Sequence, residues 1–306
     1  VISPNPEEPA ALAMAVEKAK ETDAELVMAS DPDADRVGAA VKNNEGEWVL
    51  LNGNQTALMF VYYLITRWKE LGKINGKEYI VKTIVTTETI KTIAERNGVE
   101  MYDVYTGFKW IANVMRENEG KKNYIGGGEE SYGFLCEDFV RDKDAVSACV
   151  ILAEIAAWAK DQGLSLYQLL QKIYVEYGFS KEKGISVVKK GKSGAEEIEA
   201  MMKKFRENPL TEIAGSKVTY FYDYSTLKGK DYAENETVTL DMPTTSNVLQ
   251  YFTEDNTKVS IRPSGTEPKI KFYCEVHSKV KSIDELPEAE KAAEEKINQI
   301  KASLGI

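Results

Sequence analysis

Leu26-Val27-Met28-Ala29-Ser30-Asp31-Pro32-Asp33-Ala34-Asp35-Arg36 sets an apolar run directly before three carboxylates at alternate positions. The apolar run reads as a buried strand, and the charged segment as the loop at its carboxyl end. In α/β sheets, sites are built at that end of the strands. Three acids this close repel one another unless a cation sits among them. Hard oxygen donors suit Mg²⁺ or Ca²⁺, not zinc or copper. Arg36, directly after the third acid, adds a group that can hold an anion such as phosphate.

Other readings of the loop exist. An EF-hand also opens on alternate acids, but it needs a glycine at the sixth loop position and an acid at the twelfth. Here those residues are Arg36 and Lys42. An aspartyl phosphatase of the haloacid dehalogenase type would make Asp31 a nucleophile and leave the third acid unexplained. An acidic turn bent at Pro32 is the plain alternative.

Outward from this loop, strands and helices alternate. Helical spacing covers residues 7–21, with Pro9 in the first turn. Residues 37–41 and 48–51 form a pair turned at Asn44-Glu45-Gly46. A strongly apolar helix follows at 56–71. Then come a strand at 79–85, a helix at 88–97 stopped by Gly98, and a strand at 99–104. A helix at 109–119, a short strand at 124–125 before a glycine run, and helices at 144–160 and 166–177 complete the series. This order predicts α/β domains with mainly parallel or mixed sheets. The texture changes at residues 178–194, which are rich in Lys, Gly and Ser and mark the best boundary. Beyond it, a helix at 195–208, strands at 217–222, 247–253, 258–262 and 269–277, and a helix at 284–303 predict an α+β unit. The expected domains are 1–52, 53–178 and 179–306.

Composition narrows the function. Apolar residues make up 43% of the 306, enough for real cores, and the net charge is −10. That charge argues against nucleic acid and against an anionic membrane as partners. The three cysteines form neither a metal pattern nor an even disulfide set, so a reducing, cytoplasmic setting is expected. No signal peptide is visible, and the most apolar run, residues 145–159, falls short of the ~20 residues a bilayer span needs. The lone histidine, His277, excludes a His-rich metal site and reads as a surface or half-buried strand residue. The chain opens at Val1, and residues 2–6 read as the middle of a connection, so a longer protein is expected.

Three further loops carry chemistry. Gly126-Gly127-Gly128-Glu129-Glu130-Ser131-Tyr132-Gly133 places Glu and Ser where both can reach the hydroxyls of a polyol. A tight turn with solvated acids is the alternative. Arg262-Pro263-Ser264-Gly265-Thr266-Glu267-Pro268-Lys269 combines a bidentate cation with hydroxyls and a backbone nest, an anion site without a Walker pattern. Lys269 and Lys271 add charge there, although a hairpin with incidental basic residues would look similar. Thr106-Gly107-Phe108-Lys109-Trp110 opens a helix whose N-terminus, with Lys109, favours an anion. Lys143, between Asp142 and Asp144, is either a solvated cation or a tuned proton donor.

Taken in order, the D-P-D-A-D-R, T-G-F-K-W, G-E-E-S-Y-G and R-P-S-G-T-E-P-K loops resemble the α-D-phosphohexomutases, the phosphoglucomutase and phosphomannomutase family. The similarity runs along nearly the whole chain. T-G-F-K-W and Val175-Glu176-Tyr177-Gly178 are most similar to the phosphoglucomutase/phosphopentomutase branch. The resemblance implies mixed-sheet α/β domains followed by an α+β C-terminal domain. It implies Mg²⁺ on Asp31, Asp33 and Asp35, with Arg36 facing a serine phosphate. It implies Glu129 and Ser131 on sugar hydroxyls and Lys143 as general acid/base. Thr106, Gly107 and Lys109 are expected at the substrate. Arg262, Ser264, Gly265, Thr266 and Lys271 match the loop that grips the non-transferred phosphate.

The implied reaction moves a phosphoryl group between C1 and C6 (or C5) of a sugar phosphate through a phosphoserine and a bisphosphate. A sugar 1,6-bisphosphate is the implied activator. The family's serine lies in a loop like T-A-S-H-N-P, and this sequence has none. Ser3, before Pro4-Asn5-Pro6, reads as a linker serine. The chain is therefore expected to be a mutase fragment, inactive alone. A non-catalytic phosphosugar-binding module and the Asp31 phosphatase are the alternatives.

Overall fold

The computed structural model describes residues 3–189, 191–265 and 267–306. The chain divides into two compact units, Val1–Tyr177 and Gly178–Ile306.

The first unit opens with helix α1 (Pro9–Glu21), where Pro9 takes a first-turn position that needs no N–H donor. Strands β1 (Leu26–Ser30), β2 (Val37–Lys42) and β3 (Trp48–Leu51) form an antiparallel sheet in chain order. Leu12 and Ala19 of α1 pack on Val27 and Ala40 of this sheet. The β2–β3 turn is held by the Asn43 side chain, which accepts from the N–H groups of Glu45 and Glu47.

A second sheet contains β4 (Glu78–Thr83), β5 (Glu100–Val104), β6 (Asn123–Gly128) and β7 (Phe134–Cys136). Its order is β5-β4-β6-β7, with the first three parallel and β7 antiparallel to β6. The helices are α2 (Gly53–Glu70), α3 (Thr89–Arg96), α4 (Phe108–Asn118), α5 (Ala145–Asp161) and α6 (Leu166–Tyr177). α2 is buried nearly all round over its first three turns, as a core helix must be. Its N-terminus carries a capping box between Asn52 and Gln55. Phe108, Ile111 and Met115 of α4 pack on Tyr79, Val81 and Tyr124 of the sheet. α5 touches both sheets, through β7 and β1.

Where 126–128 was expected to be loop, the structure has strand. Glycine suits those positions because the sheet is crowded there. A Cβ at 127 would stand 2.5 Å from the Val81 carbonyl oxygen, and one at 128 would stand 2.5 Å from the Phe134 ring. The three-residue β7 gave no sequence signal of its own.

The second unit holds β8 (Phe179–Val188), α7 (Gly191–Glu207), β9 (Glu212–Ile213), β10 (Ser216–Asp223) and β11 (Lys228–Asp231). It continues with β12 (Glu236–Thr239), β13 (Leu249–Thr253), β14 (Lys258–Pro263), β15 (Lys269–Ser278) and α8 (Leu286–Leu304). One antiparallel sheet runs β12-β11-β10-β13-β14-β15-β8, with β9 beside β10. The Lys/Gly/Ser stretch expected as a boundary is therefore largely a strand. β8 pairs with β15 along its whole length, and its charged residues mark an edge strand. α7 and α8 cover the sheet, with Phe205 edge-on to Phe272. The architecture is the expected mixed α/β unit followed by an α+β unit.

A row of charge lies within the sheet of the second unit. Lys258 Nζ stands 2.8 Å from Glu275 Oε2, and Glu275 Oε1 meets His277 Nε2 at 2.7 Å. Glu182 stands opposite Glu275 on β8. Burial pushes the His277 pKa down, but Glu275 and Glu182 outweigh it and raise the pKa above the ordinary 6.5. Burial pushes Glu275 up, but Lys258 and His277 hold it well below the usual carboxylate range. A raised histidine stabilises fully below 6.5, its unfolded value, and that contribution is lost as pH climbs through the folded pKa. The glutamate's contribution is full above 4.5 and is lost as pH falls through its depressed folded pKa. The second unit should therefore melt at a lower temperature at pH 9 than at pH 6. His277→Asn should flatten that fall; an undiminished fall in the variant would refute the assignment.

Candidate active site

The Asp loop hangs from the end of β1 and is closed by its own first acid. Asp31 Oδ1 accepts from the N–H groups of Asp35 and Arg36, each at 3.0 Å, and Oδ2 accepts from Arg36 Nε at 2.8 Å. Burial pushes the Asp31 pKa up, but these donors hold it below the usual carboxylate range. Ala34 takes a left-handed turn conformation, φ 56°, which brings the alternate acids round. Asp31, Asp33 and Asp35 each offer an oxygen, and these atoms lie within 4.8 Å of one another. Asp35 Oδ1 is buried without a hydrogen-bond partner among the described residues, 3.6 Å from Arg36 Nε. Clustered carboxylates with an unmatched buried oxygen fit a hard divalent cation.

This loop is stitched to two distant segments. Arg36 forms an antiparallel bridge with Gly133, and Val37 N–H donates to the Tyr132 carbonyl at 3.1 Å. Ala145 N–H donates to the Ala34 carbonyl at 2.9 Å. Lys143 Nζ then reaches Asp35 Oδ2 at 2.7 Å, with Asp142 at 3.4 Å and the Phe108 ring at 5.8 Å. Burial pushes the Lys143 pKa down, but the hydrogen bond to Asp35 and the charges of Asp142, Asp35 and Glu129 raise it overall. Lys143 is thus a protonated, mostly buried cation and not a solvated one.

The Glu129 loop lies at the carboxyl ends of the second sheet. Glu129 is 8% exposed, and its Oε1 accepts from the Gly107 N–H at 2.7 Å. Gly107 adopts φ 109°, which L side chains rarely take, so glycine is required before α4. Glu129, Gly107 and Thr106 therefore come together, with Ser131 two residues on. Lys109 is exposed, with Nζ 5.1 Å from the Trp110 ring. Glu130 turns inward, accepting from Thr83 Oγ1 at 3.1 Å.

Several contributors escaped sequence reading. Lys82, 1% exposed, pairs with Asp103 at 2.6 Å and Glu88 at 2.9 Å beneath the strand ends. A lone lysine in an apolar strand was the available signal. Glu7 Oε1 lies 3.5 Å from Arg36 Nη1. Ser3, expected as a linker residue, lines a cavity of about 500 Å³ together with Asn5, Asp31, Asp33 and Arg36.

In the second unit, Arg262 and Lys271 stand opposite each other across β14 and β15, so their side chains leave the same face. Ser264 N–H donates to the Lys269 carbonyl at 2.7 Å, and Glu267 N–H to Ser264 Oγ at 3.3 Å, which bends the loop back. Gly265 lies at its tip; Thr266 lies outside the described residues. A cavity of about 850 Å³ separates the loop from α7, lined by Ile198, Met202, Arg206, Ser264 and Gly265.

Three stretches match family models described as phosphoglucomutase/phosphomannomutase. Residues 1–46 match alpha/beta/alpha domain II, 52–177 match alpha/beta/alpha domain III, and 186–293 match the C-terminal domain. A phosphoglucomutase of Staphylococcus haemolyticus is 34% identical over 277 residues, 90% of this chain and 50% of that protein. One from Staphylococcus aureus strain MRSA252 is 38% identical over 273 residues, 89% of this chain and 48% of that protein. The chain spans about half the length of these curated relatives. A solved phosphoglucomutase/phosphomannomutase family protein from Burkholderia thailandensis shares the fold, with TM-score 0.61 at 19% identity. That match covers 99% of this chain and 52% of the other.

Gly53 shows how tightly the loop is held. A Cβ there would overlap the Glu130 carbonyl oxygen and stand 2.7 Å from the Tyr132 nitrogen. Gly53→Ala should therefore destabilise the first unit by about 1–3 kcal/mol, as overpacking does. Denaturant unfolding checks this; a midpoint equal to the parent's would contradict it.

Proposed function

The chain belongs to the phosphoglucomutase/phosphomannomutase family, and we propose that it supplies the metal, sugar and distal-phosphate loops of a phosphosugar mutase. Residues 1–52, 53–178 and 179–306 are its domain divisions. The reaction is transfer of a phosphoryl group between C1 and C6 (or C5) of a sugar phosphate, with a sugar 1,6-bisphosphate as activator. The nucleophilic serine lies outside this chain. The observation that carries this reading is the convergence in the first unit of Asp31–Arg36, Lys143 and the Glu129 loop.

Phosphoryl transfer asks the protein for positioning and charge neutralisation more than for covalent help. Asp31, Asp33 and Asp35 would hold Mg²⁺, which supplies positive charge against phosphoryl oxygens when bound. Arg36, anchored to Asp31 through Nε, presents a held guanidinium to the serine phosphate. Glu129 and Ser131 accept from and donate to sugar hydroxyls, with Thr106, Gly107 and Lys109 beside them. When the phosphoryl group leaves the serine oxygen for a sugar hydroxyl, that hydroxyl loses a proton and the serine oxygen gains one. Lys143, held protonated, delivers its Nζ proton to the serine oxygen and, once neutral, takes up the proton that the sugar hydroxyl gives up, so that the step leaves it protonated again. Arg262, Ser264, Gly265, Thr266 and Lys271 grip the phosphate that is not transferred.

The Asp31 phosphatase reading fares worse. Asp31 is 4% exposed and both its oxygens are engaged by loop donors, a poor posture for a nucleophile. A non-catalytic phosphosugar-binding module differs from the mutase reading only in the absent serine.

Two outcomes are expected. Arg262→Ala should abolish binding of inorganic phosphate by the chain, and Lys271→Ala should weaken it less, because lysine acts as a point charge and not a fork. Phosphate titration checks this, and an Arg262→Ala affinity equal to the parent's would refute the loop's role. The chain alone should not convert glucose 1-phosphate to glucose 6-phosphate, even with Mg²⁺ and glucose 1,6-bisphosphate. Turnover in a coupled assay that Ser3→Ala abolishes would move the nucleophile to Ser3, beside the Asp loop.

A further inference from the structure

We propose that Lys143 and the metal ion are antagonistic partners of Asp35, so that loading the Asp loop loosens Lys143 from it. This rests on the metal reading of the Asp loop given above. The carboxylate has two oxygens in different circumstances. Oδ1 is buried with no hydrogen-bond partner among the described residues and 3.6 Å from Arg36 Nε, whereas Oδ2 receives the Lys143 ammonium at 2.7 Å. Arg36 meanwhile sits on Asp31 at 2.8 Å. Two fixed cations therefore already offset three carboxylates.

Lys143 is delivered to this place by fixed backbone. Its stem passes directly over Gly133, where a Cβ would overlap Lys143 Cδ and stand 3.0 Å from Cγ. Gly133 is itself pinned by its bridge to Arg36. On the other side, Asp144 caps α5 by accepting from the N–H groups of Val146 and Ser147, and Ala145 is bonded to Ala34. Gly133 is thus a positioning residue: its missing side chain is the slot through which the ammonium reaches the loop.

A divalent ion held by Asp35 would share that carboxylate with the ammonium. The two cations repel, and each draws on the charge of one carboxylate. Coupling of this kind is reciprocal: if Lys143 weakens the ion's binding, the ion weakens the Lys143–Asp35 contact by the same factor. The acid/base lysine would then be parked on Asp35 in the metal-free chain and released to the sugar loop when the loop is loaded. Proton delivery would so be tied to metal occupancy.

Calorimetric Mg²⁺ titration of the chain tests this, with Lys143→Met, Gly133→Ala, the double variant and Asp33→Ala. Lys143→Met keeps the stem and removes the charge, and should bind Mg²⁺ at least about tenfold more tightly than the parent. Gly133→Ala should shift affinity in the same direction by expelling the stem, and the double variant should be no tighter than Lys143→Met. Thermal unfolding confirms that each variant is folded; should Gly133→Ala fail to fold, Lys143→Met alone decides. Affinity in Lys143→Met equal to or weaker than the parent's, with binding still dependent on Asp33, overturns the antagonism and leaves the metal site standing. Binding by no variant, or binding that Asp33→Ala does not reduce, overturns the metal reading and the proposal with it.

Discussion

Three carboxylates within 4.8 Å of one another cannot stand together without positive charge, and the first unit is organised around that constraint. Local sequence supplies one cation, Arg36, and uses it to close the loop on Asp31. The second, Lys143, comes from far along the chain and has to be carried there by tertiary structure. α5 does this by packing against both sheets, and its N-terminus is hydrogen-bonded to the Asp loop itself. The charge problem of one loop thus becomes a reason for two sheets to be joined at one corner.

The glycines around that corner serve mainly as absences. Gly53, Gly127, Gly128 and Gly133 each occupy a place where a Cβ would collide with backbone or side-chain atoms. Only Gly107 among the site glycines is required for its dihedral angle. The close approaches let the helix α2 N-terminus, the Glu129 loop and the Lys143 stem share a small space. Interiors packed to crystal density do not absorb an added methyl without displacement.

Element type was legible where periodicity was strong. α6 begins and ends at the residues its pattern implies, and β1 runs one residue past its apolar run. Legibility failed where a strand is exposed or glycine-rich. β8 carries Lys181-Glu182-Lys183 in a row beside Ser180 and Gly184, as an edge strand can, so it resembles a linker. β12, at the opposite edge, is short and polar for the same reason, and β11 beside it has only four residues. At the site, each loop could be read as a loop, but the joining of loops could not. No local pattern announces that Lys143 meets Asp35, that Gly107 N–H meets Glu129, or that Ser3 lines the Asp-loop cavity. These are products of topology, which periodicity does not encode.

The two buried charge clusters of this chain differ in a way that separates structure from chemistry. Lys258, Glu275 and His277 lie on neighbouring strands, and the Lys258–Glu275 pair is in register, so the ladder itself supplies each partner. Breaking such a contact means breaking the sheet, and its natural consequence is a pH-dependent stability. Lys143 and Asp35 meet between loops at the ends of two sheets, beside an exposed Asp33 and an unmatched oxygen. Their contact can be exchanged without unfolding a strand. A buried pair within a sheet holds the fold together, whereas a pair between loops at the sheet's carboxyl edge can part without disturbing a strand.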